Sequence, residues 1–266
     1  MTDSRVTIDV DDGIADVRLN RPDKLNALDP AMFAGIEAAI ARLRDTPGLR
    51  AVVLSGAGRA FCAGLDMQSM AAGGASAGTD LRDRTHGQAN IFQHVAWGWR
   101  ELPMPVIAAV HGIAFGGGFQ IMAGADIRIL HPDARLSIME VKWGLVPDMA
   151  GIALWRTLAR DDVLRELTYT AREFSGTEAL GYGFATRLAD DPHAAAMALA
   201  REIAGRSPDA VRAAKRLYAV AAGDPAPALM AESVEQAGVI RTPNQIEAVM
   251  ANLAGRAPVF RDPPAG

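Results

Sequence analysis

The sequence predicts an α/β core closed by a helical C-terminal region, and three observations carry that prediction. Residues 51–54 and 106–110 are short, continuous apolar runs bounded by turn residues, the pattern of strands buried on both faces. Between such runs the apolar residues recur at helical spacing, as in Phe33, Ile36, Ile40 and Leu43. Beyond Leu188 this alternation gives way to alanine-rich helical segments separated by proline or glycine. The expected division is an α/β core over 1–190 and a helical region over 191–266.

Each element has a local reason. Val6, Ile8 and Val10, then Ile14, Val17 and Leu19, flank Asp11-Asp12-Gly13 and predict a hairpin. Asp29 as N-cap and Pro30 in the first turn open a helix that ends near Pro47-Gly48. Residues 70–80 are rich in glycine and alanine and predict a mobile loop that shapes a pocket. Helical spacing through Ile91, Val95 and Trp99 predicts a helix over 81–101, stopped by Pro103 and Pro105. Gly116, Gly117 and Gly118 precede a helix ending near Gly124, and short strands are expected at 127–130 and 136–138. Helices are expected over 194–204, 208–222, 225–240 and 243–254. No repeat of fixed period is visible, although a weakly repeating strand-strand-helix unit would escape such a search.

Composition excludes several classes. Half of the chain is apolar and 22% is charged, which is globular rather than disordered. The net charge of -4 comes without a basic stripe, which argues against nucleic-acid binding. The longest apolar runs are broken by His111, Gln120 and glycines, so no membrane span is expected. Cys62 is the single cysteine, which rules out an intrachain disulfide and fits a reducing compartment. With no basic, apolar leader over 1–12, a cytoplasmic protein is expected. The five histidines never stand at metal-ligand spacing, and no metal is expected.

Two turns could carry chemistry. His111-Gly-Ile-Ala-Phe-Gly-Gly-Gly-Phe-Gln120 lies between a buried strand and a helix, where backbone N–H groups can face an anion or a carbonyl oxygen. It lacks the GK[ST] of a phosphate loop and the GxGxxG of a dinucleotide fold. The second turn, Ala60 to Asp66, joins small residues and Gly64 to an acid able to cap the next segment of chain.

RPDKLNAL (Arg21 to Leu28), GRAFCAGLD (Gly58 to Asp66) and AVHGIAFGGGFQ (Ala109 to Gln120) resemble the signature segments of the crotonase superfamily, in order and spacing. The resemblance continues through ADIRI, MEVKWGLVPD, TAREFSGTEALGYGFATRL and SPDAVRAAK, and so covers nearly the whole chain. It implies a crotonase-type spiral of β-β-α units with a C-terminal helical trimerisation region, assembled as a homotrimer or a dimer of trimers. It also implies an acyl-CoA thioester substrate, with CoA part of that substrate and no separate cofactor.

By the same resemblance, the N–H groups of Leu65 and Gly117 would hold the thioester oxygen as it becomes an enolate. Lys24, Leu25, Ala27, Ala63, Gly64, Asp66 and Gly116 would contact CoA or substrate, largely through backbone atoms. Family hydratases carry two glutamates twenty residues apart; here the first position is Gln120 and the second is Glu140. An amide does not titrate near neutrality, so Gln120 cannot be a general base, though it can orient a water or a thioester.

Glu140 follows a strand on a partly apolar stretch, where desolvation would raise it toward a useful base. Asp148 stands where typical hydratases have glycine, and the surrounding segments most resemble the Δ3,5-Δ2,4-dienoyl-CoA isomerases. In those enzymes the glutamate takes a proton near C2 and the aspartate returns one at the far end of the conjugated system. A double-bond isomerase using both carboxyls is therefore the expectation. A hydratase working through Glu140 alone, with Asp148 as a helix cap, stays open, as does a non-catalytic CoA- or RNA-binding relative.

Overall fold

The computed structural model describes residues 4–66, 68–69, 80–220, 238 and 242–262. Its strands are β1 (Val6–Asp11), β2 (Ile14–Leu19), β3 (Ala51–Gly56), β4 (Val106–Val110), β5 (Ile113–Phe115), β6 (Ile127–Leu130), β7 (Arg135–Ser137), β8 (Phe174–Ser175) and β9 (Arg187–Leu188). The helices are α1 (Pro30–Asp45), α2 (Ile91–Glu101), α3 (Gly117–Ala123), α4 (Gly151–Trp155) and α5 (Asp161–Thr170). They continue with α6 (Gly176–Tyr182), α7 (Pro192–Ala204), α8 (Pro208–Val220) and α9 (Pro243–Ala254).

Six strands form one sheet in the order β1-β2-β3-β4-β6-β9, antiparallel at the opening hairpin and parallel thereafter. Asp12 and Gly13 take φ of 46° and 74°, the left-handed pair that a tight hairpin turn requires. A second sheet, β5-β7-β8, lies beside the first, and a bridge between Cys62 and Ala114 ties its β5 to the turn after β3. The chain thus places one strand in the large sheet, a second in the small sheet, then a helix, as in β4-β5-α3 and β6-β7-α4.

Side chains alternate along the central strands and build two cores. Val52, Leu54, Val106 and Ala108 join the main core with α1 and α2. Ala51, Val53, Ile107 and Ala109 face the other way, onto Ala196 and Ala200 of α7. Those two alanines, four apart, let α7 lie close on the sheet and explain why these strands read as unbroken apolar runs.

Some boundaries differ from expectation. α2 begins at Ile91 rather than Leu81, because Asn90 caps it: its side chain accepts from Gln93 N while Gln93 Oε1 accepts from Asn90 N. Residues 81–90 fold as turns, tied down by Asn90 Nδ2 donating to the Leu81 carbonyl at 2.8 Å. The strand expected at 136–138 lies at Arg135–Ser137. The expected loop at 70–80, apart from Asp80, and the helix at 225–240, apart from Gly238, lie outside the described residues. Among the described residues, no helix is long and apolar enough to cross a membrane.

Candidate active site

The segments singled out in the sequence meet around one cavity of about 340 Å³. Leu65, Asp66, Gly117, Gln120, Glu140 and Asp148 all line it, among Leu28, Phe33, Leu81, Phe92, Val146 and Met149. A mostly apolar wall with a few convergent polar groups is the usual form of a small-molecule site.

Its floor is made by two crossing backbone segments. Asp29 Oδ1 accepts from Met32 N at 2.8 Å, so α1 starts where expected and fixes the chain just before it. Leu28 N donates to Gly64 O and Asp66 N donates to Leu28 O, which clamps Leu65 between them. This pairing turns the Leu65 N–H away from Leu28, and it has no acceptor among the described residues. Gly117 opens α3, so its N–H has no intrahelical partner either.

Close approach explains the glycines. A Cβ at Gly64 (φ +85°) would stand 2.6 Å from the Phe115 carbonyl oxygen and 3.6 Å from Gly117 N. At Gly118 it would stand 2.3 Å from the Cys62 carbonyl oxygen. Gly116 caps α3 with φ +49°, beside the Glu140 carboxyl. Cys62 itself is buried; burial pushes its thiol up to about 12, so it is not a nucleophile at neutral pH.

Behind this floor stands Asn26, fully buried and left-handed at φ 57°, which the sequence patterns did not single out. Its Nδ2 faces the carbonyls of Ala57, Ala60 and Phe61, and its Oδ1 accepts from Arg21 N. It ties the Arg21–Leu28 loop to the Gly58–Asp66 turn. An asparagine inside an apolar stretch, in a segment without helical or strand periodicity, was the available signal. Arg21 also reaches Asp66 at 2.7 Å, and that guanidinium holds the Asp66 carboxyl below its ordinary range. Asp66 Oδ1 accepts from Gln68 N and Ser69 N, the capping role expected of it.

Glu140 follows β7 and opens a 3-10 turn (Glu140–Trp143). It is 7% exposed. Gln120 Nε2 donates to its Oε1 at 2.6 Å, whereas Oε2 is buried without a hydrogen-bond partner among the described residues. Desolvation raises the carboxyl above its ordinary range; Asp148 adds to this, while Gln120 and nearby backbone N–H groups pull the other way. Gln120 is 1% exposed, and its own Oε1 accepts from Met149 N and Gly151 N, both at 2.9 Å. Ala150 between them is left-handed at φ 67°, which turns both N–H groups toward one acceptor.

Asp148 lines the cavity but is exposed in the isolated chain; partial desolvation raises its carboxyl above its ordinary range. It does not cap the next helix: α4 is preceded by Ala150, with no side-chain cap. Lys24 is exposed and, with Leu25, Ala27 and Ala63, stands outside the cavity lining. Leu25 O accepts from Ala63 N at 2.9 Å, so these residues brace the loop that carries Leu65.

The sequence profile of the enoyl-CoA hydratase/isomerase family matches residues 9–260. The mitochondrial Δ(3,5)-Δ(2,4)-dienoyl-CoA isomerase of Mus musculus is 34% identical over 217 residues, covering 75% of this chain and 63% of the isomerase. This chain therefore spans less than two thirds of that relative's length. The (E)-benzylidenesuccinyl-CoA hydratase of Thauera aromatica is 35% identical over 264 residues, covering 96% of this chain and 98% of the hydratase. A crystal structure of enoyl-CoA hydratase from Bacillus anthracis superposes with a TM-score of 0.86 at 28% identity, covering 96% of this chain and 98% of that one.

Proposed function

The chain belongs to the enoyl-CoA hydratase/isomerase family, and from that premise we propose that it shifts double bonds in dienoyl-CoA thioesters with two carboxyls. The observation that carries the reading is that Glu140 and Asp148 line one cavity while the third polar position, Gln120, is a non-titrating amide. Hydration through a pair of carboxyls would need an acid where this amide stands.

The chemistry follows from the placement. Glu140 Oε2, unpartnered and desolvated, takes the C2 proton of a 3,5-dienoyl thioester. The electron pair moves onto the thioester oxygen and along the conjugated chain to C6. Leu65 N–H and Gly117 N–H, both without acceptors among the described residues, receive the oxygen as its charge grows. Each such aimed donor contributes about 3–4 kcal/mol in the transition state. Asp148, whose carboxyl is raised above its ordinary range, returns a proton to C6 and leaves the 2,4-dienoyl product.

No cofactor enters this scheme, because CoA arrives with the substrate. For the assembly we keep the homotrimer or dimer of trimers. Ile246, Val249, Met250 and Leu253 form an exposed apolar stripe along α9 at i, i+3, i+4 and i+7 spacing, which supports contact with further copies.

The second reading, water addition to a 2-enoyl-CoA with Glu140 alone, is favoured by the Thauera aromatica hydratase, which aligns over nearly its full length. Turnover of purified protein on a 3,5-dienoyl-CoA and on crotonyl-CoA tests the choice. The isomerase reading expects formation of the conjugated 2,4-dienoyl product to dominate; hydration of crotonyl-CoA as the faster reaction overturns it.

A further inference from the structure

We infer that Gln120 is a positioning residue that leaves a single oxygen of Glu140 for proton transfer and ties that carboxyl to the segment bearing Asp148. The inference deepens the two-carboxyl reading above and rests on it for the identity of the base.

The geometry is specific to an amide. Gln120 Oε1 accepts two backbone N–H groups, from Met149 and Gly151, while Nε2 donates to Glu140 Oε1. An ionised carboxylate at this place could accept the two N–H groups but could not donate. A methionine or leucine could do neither, and asparagine is shorter by one methylene. With Oε1 held at 2.6 Å, only Oε2 is left for the reaction, buried and unpartnered.

The same amide couples the two proton-transfer groups. Asp148 immediately precedes Met149, whose N–H ends on Gln120 Oε1. A short chain of bonds therefore runs from the Asp148 backbone through Gln120 to Glu140. Left-handed Ala150 shows that the loop is bent to serve this acceptor. Gln120 thus has its acceptor and one of its two N–H groups committed to protein.

The test reads Glu140 directly. Among the described residues, Asp66 and Asp148 are the other ionisable groups lining the cavity, and exposed Lys142 lies on the same turn as Glu140. Difference infrared titration of the Glu140 carboxyl, assigned by its loss in Glu140→Gln, is compared in wild type, Gln120→Met and Gln120→Glu. Removing the donor in Gln120→Met is expected to raise the Glu140 midpoint by about one pH unit. Gln120→Glu keeps an acceptor for Met149 N and Gly151 N and so keeps the fold. It is expected to retain one shared carboxyl proton at neutral pH, since two carboxyls this close cannot both ionise.

An unchanged midpoint in Gln120→Met, or independent ionisation of both carboxyls in Gln120→Glu, overturns the inference. Turnover separates this from the functional reading. Gln120→Met is expected to lower kcat on a 3,5-dienoyl-CoA by about tenfold or more, with KM within about twofold. A wild-type protein inactive on dienoyl-CoA but showing the infrared shift removes the isomerase reading and leaves the positioning role. Isomerase activity without any infrared shift removes the positioning role alone.

Discussion

Gln120 Nε2 donates to Glu140 Oε1 at 2.6 Å, and the other carboxyl oxygen of Glu140 is buried without a partner among the described residues. One amide therefore decides which oxygen of Glu140, the proposed base, is free, and the consequences can be measured.

Glu140 illustrates a conflict between activity and stability. Its carboxyl is raised above the ordinary value of 4.5 by desolvation, so the folded state holds that proton more tightly than the unfolded chain does. The stability it contributes is complete below the unfolded value and is lost as pH rises through the folded one. Glu140→Gln is accordingly expected to stabilise the protein by about 1 kcal/mol at pH 8 and not at all below about pH 4. Denaturant titrations at both pH values check this. In the proposed mechanism Glu140 acts ionised, so kcat/KM of the wild type should fall toward acid, with its midpoint above 4.5.

The buried amide of Asn26 faces three carbonyls at once. Asn26→Ala would remove that donor and put alanine at a left-handed φ of 57°. A loss of about 3 kcal/mol is expected. Urea unfolding reads it, and a loss under about 1 kcal/mol would show that Asn26 is replaceable.

Gly64→Ala probes the proposed oxyanion site through backbone alone. The added Cβ meets the Phe115 carbonyl oxygen at 2.6 Å in a left-handed conformation, so the Leu65 N–H must move. If that N–H serves the transition state, kcat should drop by about a hundredfold, while binding of an inert acyl-CoA, followed by calorimetry, weakens much less.

The apolar stripe of α9 gives a prediction for assembly. Sedimentation should show a trimer or a multiple of it, and Leu253→Asp, at a residue 81% exposed in the isolated chain, should shift the equilibrium toward monomer. A wild-type protein that sediments as a monomer removes the assembly reading.

The sequence made some of this legible and hid the rest for physical reasons. β3 and β4 were readable because residues of both parities are buried, on Ala196 and Ala200 from one side and on the main core from the other. The small sheet was not: β5 has three residues and β8 two, too short for a period to register, so the strand-strand-helix repeat came only through the family resemblance. The start of α2 was overrun because helical spacing outweighed the capping pair Asn90 and Gln93.

At the site, Leu65, Gly117, Glu140 and Asp148 were singled out by motif resemblance, and all four line one cavity. The clamp at Gln120 could not be foreseen. It depends on a left-handed Ala150, a residue type with no preference for that conformation.

In the proposed mechanism two carboxyls divide one proton shuttle. The decisive measurement is the rate of 2,4-dienoyl-CoA formation from a 3,5-dienoyl-CoA by wild type, Glu140→Gln and Asp148→Asn, beside crotonyl-CoA hydration by the same proteins. Isomerisation is expected to fall by about a thousandfold or more in each variant, since each removes a proton-transfer group. Hydration that requires Glu140 and ignores Asp148, with no dienoyl product from the wild type, would refute the shared shuttle.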